Sequence, residues 1–229
     1  MDLIKYLFLL VLTSISIFSQ SIKNEEIKNI KEVLVNGQME LNISYDSKES
    51  LTFEGKDSII NDVKIKVRGT LLEISLPKKS YLSINDKIIV KLNLKELNSL
   101  EFNGSGDFSI KDFKSEDFYL KIDGNGKGLV EGNTFDKLNV DINGNANILL
   151  KGKSKNLVVK MDGLGSFNGY ELSTDNAELT LNGTGKIEVS VEKKLKAKLN
   201  GIGSIVYKGN PKVEEASLKG LGSIKKYQD

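Results

Sequence analysis

The stretch KLNGIGSIVYKGNP, residues 198–211, sets two glycines one residue apart inside an otherwise strand-like alternation, where each glycine should weaken the strand. The pair recurs as NGSG from Asn103, DGNG from Asp123, NGNA from Asn143, DGLG from Asp162, NGTG from Asn182, NGIG from Asn200 and KGLG from Lys219. The first glycines of these units are separated by 20, 20, 19, 20, 18 and 19 residues. A period this regular over more than half the chain is the signature of a solenoid of stacked coils.

Inside each repeat the apolar residues alternate with period two, as in Leu100, Phe102, Phe108 and Ile110, or Leu179, Leu181, Ile187 and Val189. This is the pattern of a strand with one buried face. The same alternation assigns both glycines of each pair to the inward face: Gly104, Gly106, Gly124, Gly126, Gly163, Gly165, Gly183, Gly185, Gly201, Gly203, Gly220 and Gly222. Leu218 and Ile224 continue the inward set in the last repeat, and Ala146 replaces one second glycine. Such a glycine column is expected to let the wall bend inward, or to admit large side chains from the opposite wall. The fold class predicted is all-β, a right-handed single-stranded parallel β-helix with roughly 18–20 residues per coil.

The outward residue before each pair forms a second ladder of Asn103, Asp123, Asn143, Asp162, Asn182, Asn200 and Lys219. Amides stacked along a ladder hydrogen-bond to one another, and asparagine between two aspartates keeps like charges apart. Calcium is the functional rival, since acidic Gly-rich repeats can bind it. Asp123 and Asp162 would sit two coils apart, roughly 10 Å given the strand spacing, too far to share an ion. No metal site is expected.

The 229 residues include no cysteine, histidine or tryptophan. This removes zinc sites of the usual ligand types, Cys-His and Ser-His-Asp nucleophiles, histidine-held haem and disulfides. No cofactor is expected. Residues 1–21, with Lys5 ahead of an apolar run from Tyr6 to Phe18, read as a signal peptide. The net charge of +2, with both signs interspersed, argues against a nucleic-acid partner. Residues 22–99 read as degenerate N-terminal coils and a cap, continuous with the regular repeats of residues 100–229, and SIKNEEIKNIKEV as a short helix or a leader.

The N/D-G-x-G repeats, each followed by an apolar-x-apolar strand, together with KLNGIGSIVYKGNPKV and the terminal KGLGSI, resemble the "putative auto-transporter adhesin head GIN domain" family of exported bacterial proteins over about residues 30–225. The resemblance implies a β-helix and a cell-envelope location, and brings no catalytic residues with it. The end of the sequence shows no membrane-barrel strand pattern, so periplasm and cell surface both stand as locations.

Three readings of function follow. The first is a non-enzymatic binding or adhesion module for a protein or glycan, with Leu164, Thr184, Ile202 and Leu221 as an outward interaction stripe between the glycines. That stripe also suits a homo-oligomer contact. The second is a periplasmic envelope scaffold or stress-associated domain. The third is a polysaccharide-active β-helix enzyme, which needs a carboxylate pair with a tuned acid. Glu101, Asp107 and Glu188 alternate with lysines as a solvated face would, and no such pair stands out. The chain is therefore expected not to be an enzyme.

Overall fold

The computed structural model describes residues 21–76 and 87–228; the signal-peptide reading of residues 1–21 lies almost wholly outside them. The chain runs through β1 (Ser21–Glu25), β2 (Glu32–Gln38), β3 (Glu40–Tyr45), β4 (Ser50–Gly55), the one-turn helix α1 (Asp57–Ile60), β5 (Lys64–Arg68), β6 (Leu71–Ser75) and β7 (Ile89–Leu94). It continues with β8 (Ser99–Ser105), β9 (Phe108–Lys111) and β10 (Lys114–Ile122), then four long strands that turn the solenoid's corners without a break. These are β11 (Asn125–Ile142), β12 (Asn145–Met161), β13 (Leu164–Leu181) and β14 (Thr184–Leu199), followed by β15 (Ile202–Lys208), β16 (Lys212–Leu218) and β17 (Leu221–Lys226).

From β8 onward every coil pairs parallel with the next. The register stacks like on like: Ile122 pairs with Ile142, then Met161, Leu181, Leu199 and Leu218. A second column runs Phe108, Gly128, Ile148, Phe167, Ile187, Ile205 and Ile224. Gly128 in this column leaves room for the ring before it, since a Cβ there would lie 2.3 Å from Phe108 Cζ. Most members of these columns are fully buried, and each large apolar side chain so placed contributes about 1.5–3 kcal/mol. The fold is thus the predicted all-β parallel solenoid.

Stacking order departs from chain order in the first third. The coil β2–β3 lies between β6–β7 on one side and β8–β9 on the other. Beyond β6–β7 the pairing becomes antiparallel, with β5 on β6, β4 on β7 and β1 on β4. Of these pairs β5 and β6 are joined by the two-residue turn Gly69–Thr70, a connection short enough only for antiparallel strands. The opening segment expected to be a helix or leader is therefore partly a strand, because Ser21–Glu25 finds the free edge of β4.

The glycine columns work along the stack and not across the core, which corrects the sequence expectation. A Cβ built on Gly104, Gly124, Gly144, Gly163, Gly183, Gly201 or Gly220 would lie 1.8–2.0 Å from the carbonyl oxygen of the equivalent glycine one coil below. That same oxygen accepts the ladder hydrogen bond from the residue between the upper pair, as in Leu164 N to Gly144 O at 2.9 Å and Ile202 N to Gly183 O at 2.9 Å. The second glycines add a positive φ, +121° at Gly165 and +140° at Gly203, which L-residues avoid. Ala146, absent from the positive-φ residues, keeps its methyl buried.

One corner rests on a buried amide. Asn133 is 1% exposed, accepts from Phe113 N at 2.7 Å through Oδ1, and donates through Nδ2 to Ile110 O at 3.1 Å and Glu131 O at 2.8 Å. It satisfies three backbone groups where the chain turns through Gly132. At the other limit of the stack, Leu218 is 51% exposed. It follows the core register, but no described coil lies beyond it, so the last inward set is not buried as the alternation alone predicts.

Candidate binding surfaces

The residues between the glycines form one continuous outward ladder, Gln38, Ser105, Asn125, Asn145, Leu164, Thr184, Ile202 and Leu221. Its chemistry changes along the stack from amide and hydroxyl to mostly apolar. Leu164 and Ile202 are each 53% exposed and Leu221 is 72% exposed, with Thr184 also exposed between the first two. The glycines aim these side chains outward. With the flanking Gly163 and Gly165, or Gly201 and Gly203, taking the inward positions, alternation leaves the middle residue no inward choice.

On one side of this stripe runs the Asn/Asp ladder. Asn143 Nδ2 donates to Asp123 Oδ1 at 2.8 Å, Asn182 Nδ2 to Asp162 Oδ1 at 2.5 Å, and Asn200 Nδ2 to Asn182 Oδ1 at 2.8 Å. Asn103 Nδ2 reaches Asn36 Oδ1 at 3.3 Å, extending the ladder into the irregular part of the chain. The aspartates also hold lysines, Lys121 with Asp123 at 2.9 Å and Lys160 with Asp162 at 2.6 Å. Those lysine hydrogen bonds, supported by the asparagine amides, hold both carboxyls below their ordinary range. Among the described residues no cluster of three metal-ligating side chains occurs.

The carboxylates read as a solvated face, with no catalytic pair among them, are separately engaged. Glu101 accepts from Lys121 at 3.0 Å and from Asn103 at 3.1 Å, Glu188 pairs with Lys186 at 2.5 Å, and Asp107 accepts from Lys127 N at 3.0 Å.

A second surface, which the repeat pattern did not single out, lies at the same end of the stack. The rings of Tyr170 and Tyr227 meet edge to face, with centroids 5.6 Å apart and planes at 68°. Lys208 Nζ sits 4.4 Å from one ring centroid and 4.5 Å from the other. Burial pushes the Tyr170 phenol well above its usual range, and the Glu188 carboxylate adds to the shift. The signal was present in the numbering: Tyr170, Lys208 and Tyr227 are spaced by two repeat lengths and then one.

Residues 29–211 match the family model described as "putative auto-transporter adhesin, head GIN domain". No curated protein matches the chain. A crystal structure of a "putative adhesin" from Bacteroides fragilis superposes with a TM-score of 0.88 at 24% identity, over 91% of this chain and 97% of that one. Crystal structures of "putative adhesins" from Parabacteroides merdae and Parabacteroides distasonis give TM-scores of 0.66 and 0.65 at 22% and 23% identity, each over 91% of this chain, and over 96% and 97% of theirs. At these identities the likeness is one of fold.

Proposed function

Since the chain belongs to the family of "putative auto-transporter adhesin, head GIN domain" proteins, we propose that it is an exported, non-catalytic binding module of the bacterial cell envelope, with Leu164, Thr184, Ile202 and Leu221 as its contact ridge. The observation that carries this reading is the in-register exposure of three large apolar side chains along one outward ladder flanked by polar side chains. An apolar centre with a polar rim is the usual build of a protein contact. The ladder of Asp162, Asn182 and Asn200 supplies one rim, and Ser166, Lys186 and Ser204 the other. The separate pairing of Glu101 and Glu188 with lysines supports binding over glycoside chemistry, which needs two carboxylates converging on one bond.

Export and the contact are tested separately. Proteolysis of intact cells, followed by blotting, removes the band if the solenoid faces outward. Survival until the outer barrier is opened replaces the adhesin reading with a periplasmic scaffold. For the contact, Ile202→Glu places a charge at the centre of the ridge. The expected result is a shift toward monomer in sedimentation velocity or loss of the partner recovered by crosslinking; an unchanged state in both would remove the ridge from the proposal.

A further inference from the structure

We propose that the corner formed by Tyr170, Lys208 and Tyr227 is a binding site for an acidic saccharide, a sugar unit carrying a carboxylate such as a uronate. The site adjoins the apolar ridge, sharing Lys186 and Ser204 with its rim, and adds a ligand class to it. Its charge is the first argument. Lys208, Lys225 and Lys226 line or overhang the cleft, and its one described carboxylate, Glu188, is already taken by Lys186 at 2.5 Å. Lys226 reaches only the neutral amide of Asn210, and Lys225 has no carboxylate partner among the described residues. The cleft therefore presents uncompensated positive charge, which selects an anion.

Shape is the second. Tyr227 is 41% exposed beside these lysines, and offers an apolar ring surface that a compact inorganic anion would leave unused and that the C–H face of a pyranose covers. Lysine ammoniums reach a carboxylate as point charges without demanding the planar fork geometry of arginine. Lys208 is already held on both rings, so part of the ordering that binding requires is complete beforehand.

The test is calorimetric titration of the whole chain with trigalacturonate, maltotriose and inorganic phosphate at low ionic strength. Trigalacturonate is expected to bind with a Kd of about 1 mM or tighter and to weaken as salt screens the lysines. Maltotriose is expected not to bind. Tyr227→Ala and Lys208→Met, both at partly exposed positions, are each expected to weaken trigalacturonate about tenfold while leaving the far-UV circular dichroism unchanged. The proposal is overturned by phosphate binding as tightly as trigalacturonate, which would make the cleft a bare cation patch, by no heat with trigalacturonate, or by affinity unchanged in folded variants. Leu164→Ser, a neutral change on the ridge at a position that does not line the cleft, leaves this binding intact, which separates failure here from failure of the ridge.

Discussion

Replacing Gly163 with alanine tests why the glycine columns exist. If the glycines served only to let the wall bend, the methyl would be tolerated and would stabilise the chain by about 0.4–1 kcal/mol through the unfolded state. The geometry predicts the reverse. The new Cβ would stand 1.8 Å from Gly144 O and 2.8 Å from Gly144 C, roughly 1.5 Å inside ordinary contact. Relief requires lifting one coil off the next by a distance that breaks the bond from Leu164 N to Gly144 O, now 2.9 Å, and strains the bond from Asp162 N to Ile142 O, now 2.8 Å. Each ladder group left unpaired costs about 1–3 kcal/mol. The net expectation is a loss of about 3–5 kcal/mol, at the upper end of single substitutions. Gly69→Ala is the control: a Cβ there meets nothing within 4 Å, and φ is +63°, so the cost is the left-handed penalty of about 1–2 kcal/mol. Guanidinium unfolding followed by far-UV circular dichroism reads both. A Gly163→Ala midpoint equal to the parent, or shifted less than that of Gly69→Ala, refutes the stacking argument.

Two further outcomes are expected. Asn133→Ala strands one buried N–H and two carbonyls at a corner and should lower stability by about 3 kcal/mol, whereas a shift below that of an exposed control such as Asn210→Ala would show the corner to be held otherwise. Asp123 and Asp162 have folded-state carboxyl pKa values below their ordinary ones, so their contribution is complete above about pH 4 and is lost as pH falls through the folded values. The double variant Asp123→Asn, Asp162→Asn should accordingly lose less of its unfolding midpoint than the parent between about pH 5 and about pH 3; parallel pH curves would deny those carboxylates a role.

How much of this was legible in the sequence follows from how local each signal is. The period of the glycine pairs and the alternation around them fix coil length, register and facing, because each is a property of one strand repeated. That is why the Asn/Asp ladder and the outward placement of Leu164 and Ile202 could be written down from residue order. The cause of the glycines was not legible, because the group each one touches lies a full coil away and is a carbonyl oxygen common to every residue. The insertion of β2–β3 between β6–β7 and β8–β9 was hidden for a related reason: parallel pairing in that segment joins residues at irregular separations, such as Val33 with Leu72 and with Leu100. The Tyr170 and Tyr227 corner escaped notice because tyrosine recurs at only some of the equivalent positions, so it left the repeat pattern unmarked.

The seating of each glycine on the carbonyl below also sets how such a molecule can change in length. Extra residues at a corner are absorbed as bulges, as between Gly169 and Ser173, whereas one inserted beside a glycine pair would carry a side chain onto the column and push the coils apart; a complete circuit with its own pair drops into place. The height of the stack thereby changes in whole steps, each of about 4.8 Å. The length of the solenoid becomes a digit that can be incremented, while the chemistry at either end stays as it was.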